Sequence, residues 1–152
     1  DSRTKRGVEI TMARVDWPSF FAETGIQFMP INTLYQLASE TTERLANTEF
    51  LLAIGDAFNF YLSGVARAEE SLASTFQCFN PVKSYWSQKL LSAIAVPSQI
   101  MPQTVPAGTR LGRLKPDLAT ISGLPDIAVI ATCSHDTGAA VAAIPASGSN
   151  WA

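Results

Sequence analysis

The stretch Ile127-Ala128-Val129-Ile130-Ala131-Thr132-Cys133-Ser134-His135-Asp136-Thr137-Gly138 changes character twice. Ile127 to Ala131 has the β-branched content and the length of a buried strand. Cys133 to Thr137 is a polar turn, and Gly138 to Ile144 is small and apolar. That last run reads as a tightly packed helix, ended by Pro145. The unit is strand, polar turn, helix. In α/β sheets, ligands gather at the carboxyl ends of strands. The turn offers Ser134, His135, Asp136 and Thr137 in succession. Asp136 falls at or near a helix N-terminus, where the helix dipole favours a carboxylate that can accept a proton.

A plainer reading fits the same residues. Asp136 or Ser134 simply caps the helix, and His135 is a satisfied structural histidine. The Ser-His-Asp run is not a hydrolase triad, because residues adjacent in sequence do not point at one another. No Gly-x-Ser-x-Gly elbow surrounds it.

Upstream, the pattern is mainly helical, with two or three strands. A helical stretch from Arg6 to Phe21 is broken by Pro18, which suits the first turn of a new helix capped by Asp16. Gly25 suits its left-handed end. Gly25 to Thr33 reads as extended or irregular: Gln27, Asn32 and Thr33 sit among Phe28, Met29 and Ile31. Such a mix lines a polyol pocket or makes a buried crossing between helices. Helices are expected from Thr33 to Glu43 and from Thr48 to Leu62, the second with Phe50, Leu51, Ile54, Phe58, Tyr61 and Leu62 on one face. Gly64 stops it. A short helix follows over Glu69 to Phe76 and an amphipathic one over Trp86 to Ala95. Pro97 to Pro116 reads as a wrapping segment with one edge strand near Arg110 to Leu114.

Composition narrows the partners. The 152 residues suffice for one domain with a sizeable core. Charged residues are 16%, against about 25% in ordinary domains, so part of the surface is expected to lie against other protein. The net charge of -2 supplies no basic face for nucleic acid. Arg3, Lys5 and Arg6, followed by Glu9, read as a solvated helix face. One histidine and two distant cysteines build no metal site, and they suit a reducing, cytoplasmic compartment. No apolar run reaches membrane-span length. The chain opens on Asp1 and closes on Trp151-Ala152, and both ends read as cut. No Gly-x-x-x-x-Gly-Lys or Gly-x-Gly-x-x-Gly is present, so nucleotide-binding parts are expected elsewhere.

Several motifs, in order along the chain, resemble the FGGY carbohydrate kinase family, and within it the rhamnulokinases. They are Asp1-Ser2-Arg3-Thr4; Thr24-Gly25-Ile26-Gln27-Phe28-Met29-Pro30-Ile31-Asn32-Thr33-Leu34-Tyr35-Gln36-Leu37; and Gly55-Asp56 through Leu62-Ser63-Gly64. Ala73-Ser74-Thr75, Val105 to Gly112, and Ala131 to Thr137 complete the set. Gly55 stands where the family has proline, and Ser63 where it has threonine.

The resemblance implies a partial ribonuclease H-like (actin-like ATPase) α/β domain, mainly helical with a few strands. Residues 1–152 would be the later part of the N-terminal domain, without its phosphate-binding hairpin and without the C-terminal domain. It implies phosphorylation of L-rhamnulose at the 1-hydroxyl by ATP with Mg²⁺. Asp136 would be the general base, and His135, Thr137, Gln27 and Asn32 would bind the sugar. The implied partners are the sugar and the remainder of the kinase chain, with self-association through exposed surfaces. The piece alone is expected to be inactive. A kinase for another ketose or polyol, or a non-catalytic sugar-binding module on the same fold, are the alternatives.

Overall fold

A computed structural model describes residues 3–148. Asp1 and Ser2 of the first motif, and the Trp151-Ala152 end, lie outside the described residues. The chain opens on helix α1 (Arg3–Met12), with Lys5, Arg6 and Glu9 exposed as a solvated face requires. Helix α2 (Trp17–Thr24) begins as its local chemistry dictates. The Asp16 carboxylate accepts from Ser19 N at 2.9 Å, and Pro18 occupies the first turn. Hydrogen bonds from Ser19, side chain first and backbone second, hold the Asp16 carboxyl below its ordinary range. Gly25 closes α2 at φ 68°, where a side chain would be strained.

Residues 25–32 form neither helix nor strand. Helix α3 (Thr33–Leu37) is short, and α4 (Thr42–Ala46) follows it. The single helix expected from Thr33 to Glu43 is thus split. Ser39 Oγ donates to Tyr35 O, and Thr41 Oγ1 starts a new helix by accepting from Arg44 N. Locally bonding hydroxyls compete with helix continuation in this manner.

The helix expected from Thr48 begins only at Ile54, as α5 (Ile54–Ser63). Residues 48–53 before it form neither helix nor strand, with Leu51 N donating to Ile100 O at 2.8 Å, so a distant segment claims that backbone. The apolar stripe of α5 does not face the core. Ile54, Phe58 and Tyr61 are exposed, while Asp56 on the same helix is buried.

The remaining elements are β1 (Ala68–Glu69), α6 (Glu70–Ala73) with a 3-10 turn after it (Ser74–Phe76), β2 (Phe79–Asn80) and β3 (Tyr85–Trp86). Then come α7 (Gln88–Ala93), a second 3-10 turn (Ser98–Ile100), β4 (Thr104–Val105), β5 (Arg110–Arg113), α8 (Pro116–Ser122), β6 (Ala128–Ile130) and α9 (Asp136–Ala142). Trp86, expected inside a helix, belongs to β3, because Ser87 caps α7 one residue later. The described strands pair in twos: β1 with β4 in parallel, β2 with β3 and β5 with β6 antiparallel. The strand expected to be buried, β6, pairs on one side only. Val129 and Ala131 are buried there, but Ile127 and Ile130 are exposed. Helix α9 is likewise not tightly packed, since none of its residues is buried.

The core gathers Phe20, Leu34, Tyr35, Leu90, Leu91 and Ile94, from α2, α3 and α7 with its end. Helix α1 lies so close to α3 that a Cβ on Gly7 would fall 1.7 Å from the Tyr35 carbonyl oxygen. Among the described residues, no helix is long and apolar enough to cross a membrane.

Candidate active site

A cavity of about 730 Å³ lies between the irregular segment after α2 and the turn before α9. Gln27, Asn32 and Thr33 line it from one side, and His135 and Thr137 from the other. Phe21, Met29 and Ile31 add apolar wall, and Thr75 adds a hydroxyl-bearing residue from the 3-10 turn after α6. Its size and its mixed lining suit a small polar molecule. Four residues singled out in sequence, Gln27, Asn32, His135 and Thr137, therefore share one cavity.

A residue that sequence reasoning passed over fixes the first wall. Gln77 is fully buried and adopts φ 62°. Its Oε1 accepts from Asn32 Nδ2 at 3.0 Å, and its Nε2 donates to Gln27 O at 3.3 Å. A buried amide must find such partners, and here they pin the loop at two points. Asn32 thus spends its amide N–H on Gln77. Gln27 is exposed, with Nε2 at 3.6 Å from Met29 Sδ. The one signal in sequence was a lone amide between Phe76 and Cys78 in an apolar run.

The second wall hangs from the end of β6. Gly108 N donates to Ala131 O at 2.7 Å and Ala131 N to Thr109 O at 2.9 Å, which tethers the strand just before the turn. Within the turn, Ser134 N donates to Glu69 Oε2 and His135 N to Ser71 Oγ, each at 3.4 Å. Gly138 opens α9 against the turn, since a Cβ there would lie 2.6 Å from Cys133 Sγ.

Of the capping assignments weighed for this turn, that of Ser134 is not realised, and Asp136 meets a first-turn N–H from inside the helix and not from the N-cap position. His135 holds the N-cap position and makes no side-chain cap bond, and Ser134 Oγ donates back to Thr132 O. Asp136 is the first residue of α9, and its side chain is 97% exposed. Its Oδ1 accepts from Thr137 N at 2.7 Å. His135 and Asp136 do approach, contrary to expectation for neighbours, with Nε2 and Oδ1 3.6 Å apart. That is too long for a hydrogen bond. With the Ser134 hydroxyl turned to Thr132, no Ser-His-Asp relay exists. Asp136 lies between two lining residues, yet its own side chain is not part of the wall.

Behind the turn sits a buried carboxylate, Asp56. Its Oδ1 accepts from Glu69 N at 3.1 Å, while Oδ2 has no partner. Burial pushes its carboxyl up to about 6; the Glu69 N–H opposes that rise and the Glu69 charge adds to it.

A family description, the N-terminal domain of the FGGY family of carbohydrate kinases, matches residues 1–143. The chain belongs to that family. It is 36% identical over its whole length to the rhamnulokinase of Ligilactobacillus salivarius, and 34% identical to those of Enterococcus faecalis and Bacillus subtilis. It spans 31% of each of these relatives. Among solved structures it is similar to a ligand-bound xylulose kinase from Lactobacillus acidophilus, with a TM-score of 0.76 and 19% identity over 87% of this chain and 28% of that one. It is also similar to a carbohydrate kinase from Novosphingobium aromaticivorans, with a TM-score of 0.66 and 29% identity over 88% of this chain and 29% of that one. The fold is the mixed helix and strand, actin-like fold of these FGGY kinases, as the resemblance implied.

Proposed function

We propose that this chain is the later part of the N-terminal domain of a sugar kinase that transfers the γ-phosphoryl group of ATP to the 1-hydroxyl of L-rhamnulose. The observation that carries the reading is the shared cavity: Gln27 and Asn32 meet His135 and Thr137 across it. The identity to rhamnulokinases over all 152 residues of this chain favours rhamnulose over another ketose or polyol.

Each residue then has a stated task. Gln27, His135 and Thr137 hydrogen-bond sugar hydroxyls, and the Phe21, Met29 and Ile31 wall packs against C–H faces. Asn32, tied through its amide N–H to Gln77, offers its carbonyl oxygen. Asp136 Oδ orients the attacking hydroxyl and accepts its proton. The new O–P bond forms as the bond from the γ-phosphorus to the β,γ-bridging oxygen breaks, leaving ADP. Such a transfer asks for positioning and charge compensation more than for covalent catalysis. Mg²⁺ on the ATP phosphates supplies that compensation when bound. The described residues gather no group of three or more metal-capable side chains, and no step here runs through the ion. A reaction that consumes ATP belongs with the cytoplasmic ATP pool.

Turnover of L-rhamnulose by the full-length protein, followed as ADP release, tests the reading. Asp136→Asn is expected to lower kcat by roughly 10²–10⁴-fold. Normal turnover in that variant removes Asp136 from the role. ADP release with a different ketose alone moves the substrate assignment to that sugar, and sugar binding without any turnover favours a binding module.

A further inference from the structure

The candidate base sits on a turn with little packing of its own, so something else must hold it in place. Asp136 is almost fully exposed, and no residue of α9 is buried. Two contacts reach the turn from a different element. Glu69, buried at the end of β1, accepts from Ser134 N through Oε2. Ser71, in the first turn of α6, accepts from His135 N through its hydroxyl oxygen. Ser71 Oγ in turn donates to Glu69 Oε2, so the two act as one unit.

Glu69 serves here purely as an acceptor, through both side-chain oxygens. Glu69 receives Ser71 N on Oε1, and Ser71 Oγ, Leu72 N and Ser134 N on Oε2. A glutamine would put an NH₂ group, a donor, against at least one of those donors, whichever way its amide turns. The unit is itself anchored from below, because Glu69 N donates to the buried Asp56. Parallel pairing of β1 with β4 fixes the same backbone from the side. The Gly55 backbone also approaches the turn closely, since a Cβ there would lie 3.1 Å from Ser134 Cβ.

We propose that Glu69 and Ser71 are positioning residues: together they grip the Ser134 and His135 backbone N–H groups and thereby set where the Asp136 carboxylate stands relative to the sugar. The inference rests on the reading of Asp136 as general base. A misplacement of about 1 Å at a reacting group costs on the order of 10²-fold in rate, so loosening the grip has a measurable consequence.

The test uses the full-length protein, L-rhamnulose and the ADP-release assay, with four variants: Ser71→Ala, Ser71→Thr, Glu69→Gln and Asp136→Asn. Ser71→Ala and Glu69→Gln are each expected to lower kcat roughly tenfold to a hundredfold, with KM for ATP within about twofold. Ser71→Thr keeps the hydroxyl and is expected to restore most of the rate. The deciding measurement is the double variant Ser71→Ala/Asp136→Asn. The part of the Ser71→Ala loss that acts through Asp136 cannot recur in an enzyme already lacking the base, so the double is expected to lose clearly less than the product of the two single losses. Full multiplication of the two losses overturns the proposal, as does a kcat for Ser71→Ala within twofold of the parent beside a nearly dead Asp136→Asn. Normal turnover in Asp136→Asn overturns the base assignment and the positioning role with it. If Glu69→Gln does not fold, the Ser71 pair and the double variant still decide.

Discussion

The residues up to Met101 and the residues from Thr104 onward are built in different ways. In the first region Phe20, Leu34, Leu90 and Leu91 are wholly buried in one continuous core. In the second, no residue of α8 or α9 is buried, and Val129 and Ala131 are the buried apolar residues there. Yet the second region carries His135, Asp136 and Thr137. Side-chain packing locates the first region; backbone hydrogen bonds to Thr109, Glu69 and Ser71 locate the second. Non-directional burial is strong but imprecise about a single atom, whereas hydrogen bonds fix distance and angle.

Three measurements would break or sharpen that contrast, and urea midpoints of the full-length protein read all of them. The largest effect is expected for Leu34→Ala, at roughly 2–5 kcal/mol, with Val141→Ala below about 0.5 kcal/mol. Equal losses would mean that α9 is packed as firmly as α3, and the contrast would fail. Next come two glycines of opposite kinds. Gly7→Ala must push α1 away from the Tyr35 carbonyl, at roughly 3 kcal/mol. Gly123, at φ 69° with nothing within 4 Å of a Cβ, tests backbone strain alone, at about 1 kcal/mol as alanine.

The third measurement concerns the joint between the regions, through Asp56. Its carboxyl is raised to about 6 in the fold, above the ordinary value of 3.8. The folded state therefore binds the extra proton between those two values. Stability from this group is fully present below pH 3.8 and is lost as pH rises through about 6. Asp56→Asn is expected to flatten that limb, which amounts to roughly 1–3 kcal/mol. A wild-type curve parallel to that of the variant between pH 4 and 7 would remove Asp56 from the account.

How much of this could be read in advance depended on how local the cause was. The Asp16 cap, Pro18 and the Gly25 terminator act within a few residues, and α2 begins and ends where they indicate. The strand, turn and helix around Asp136 followed from a change of composition within one short stretch. The residues proposed for the sugar were legible through the resemblance, and the cavity joins Gln27 and Asn32 with His135 and Thr137. The outward apolar face of α5 was not legible, because periodicity marks a face without saying what covers it. The grips by Gln77, Glu69 and Ser71 were also hidden, since their partners lie 45 to 65 residues away in the chain.

The same separations have a consequence for the order of events as the chain is made. The Asn32–Gln77 contact closes over 45 residues, and the His135–Ser71 contact over 64. Closing such loops costs chain entropy that only later contacts return. During synthesis, the first wall of the cavity can set once Gln77 has left the ribosome, whereas the second must wait for His135. The cavity that Gln27 and Asn32 share with His135 and Thr137 is therefore completed only with the emergence of the α9 turn, long after the core has begun to fold.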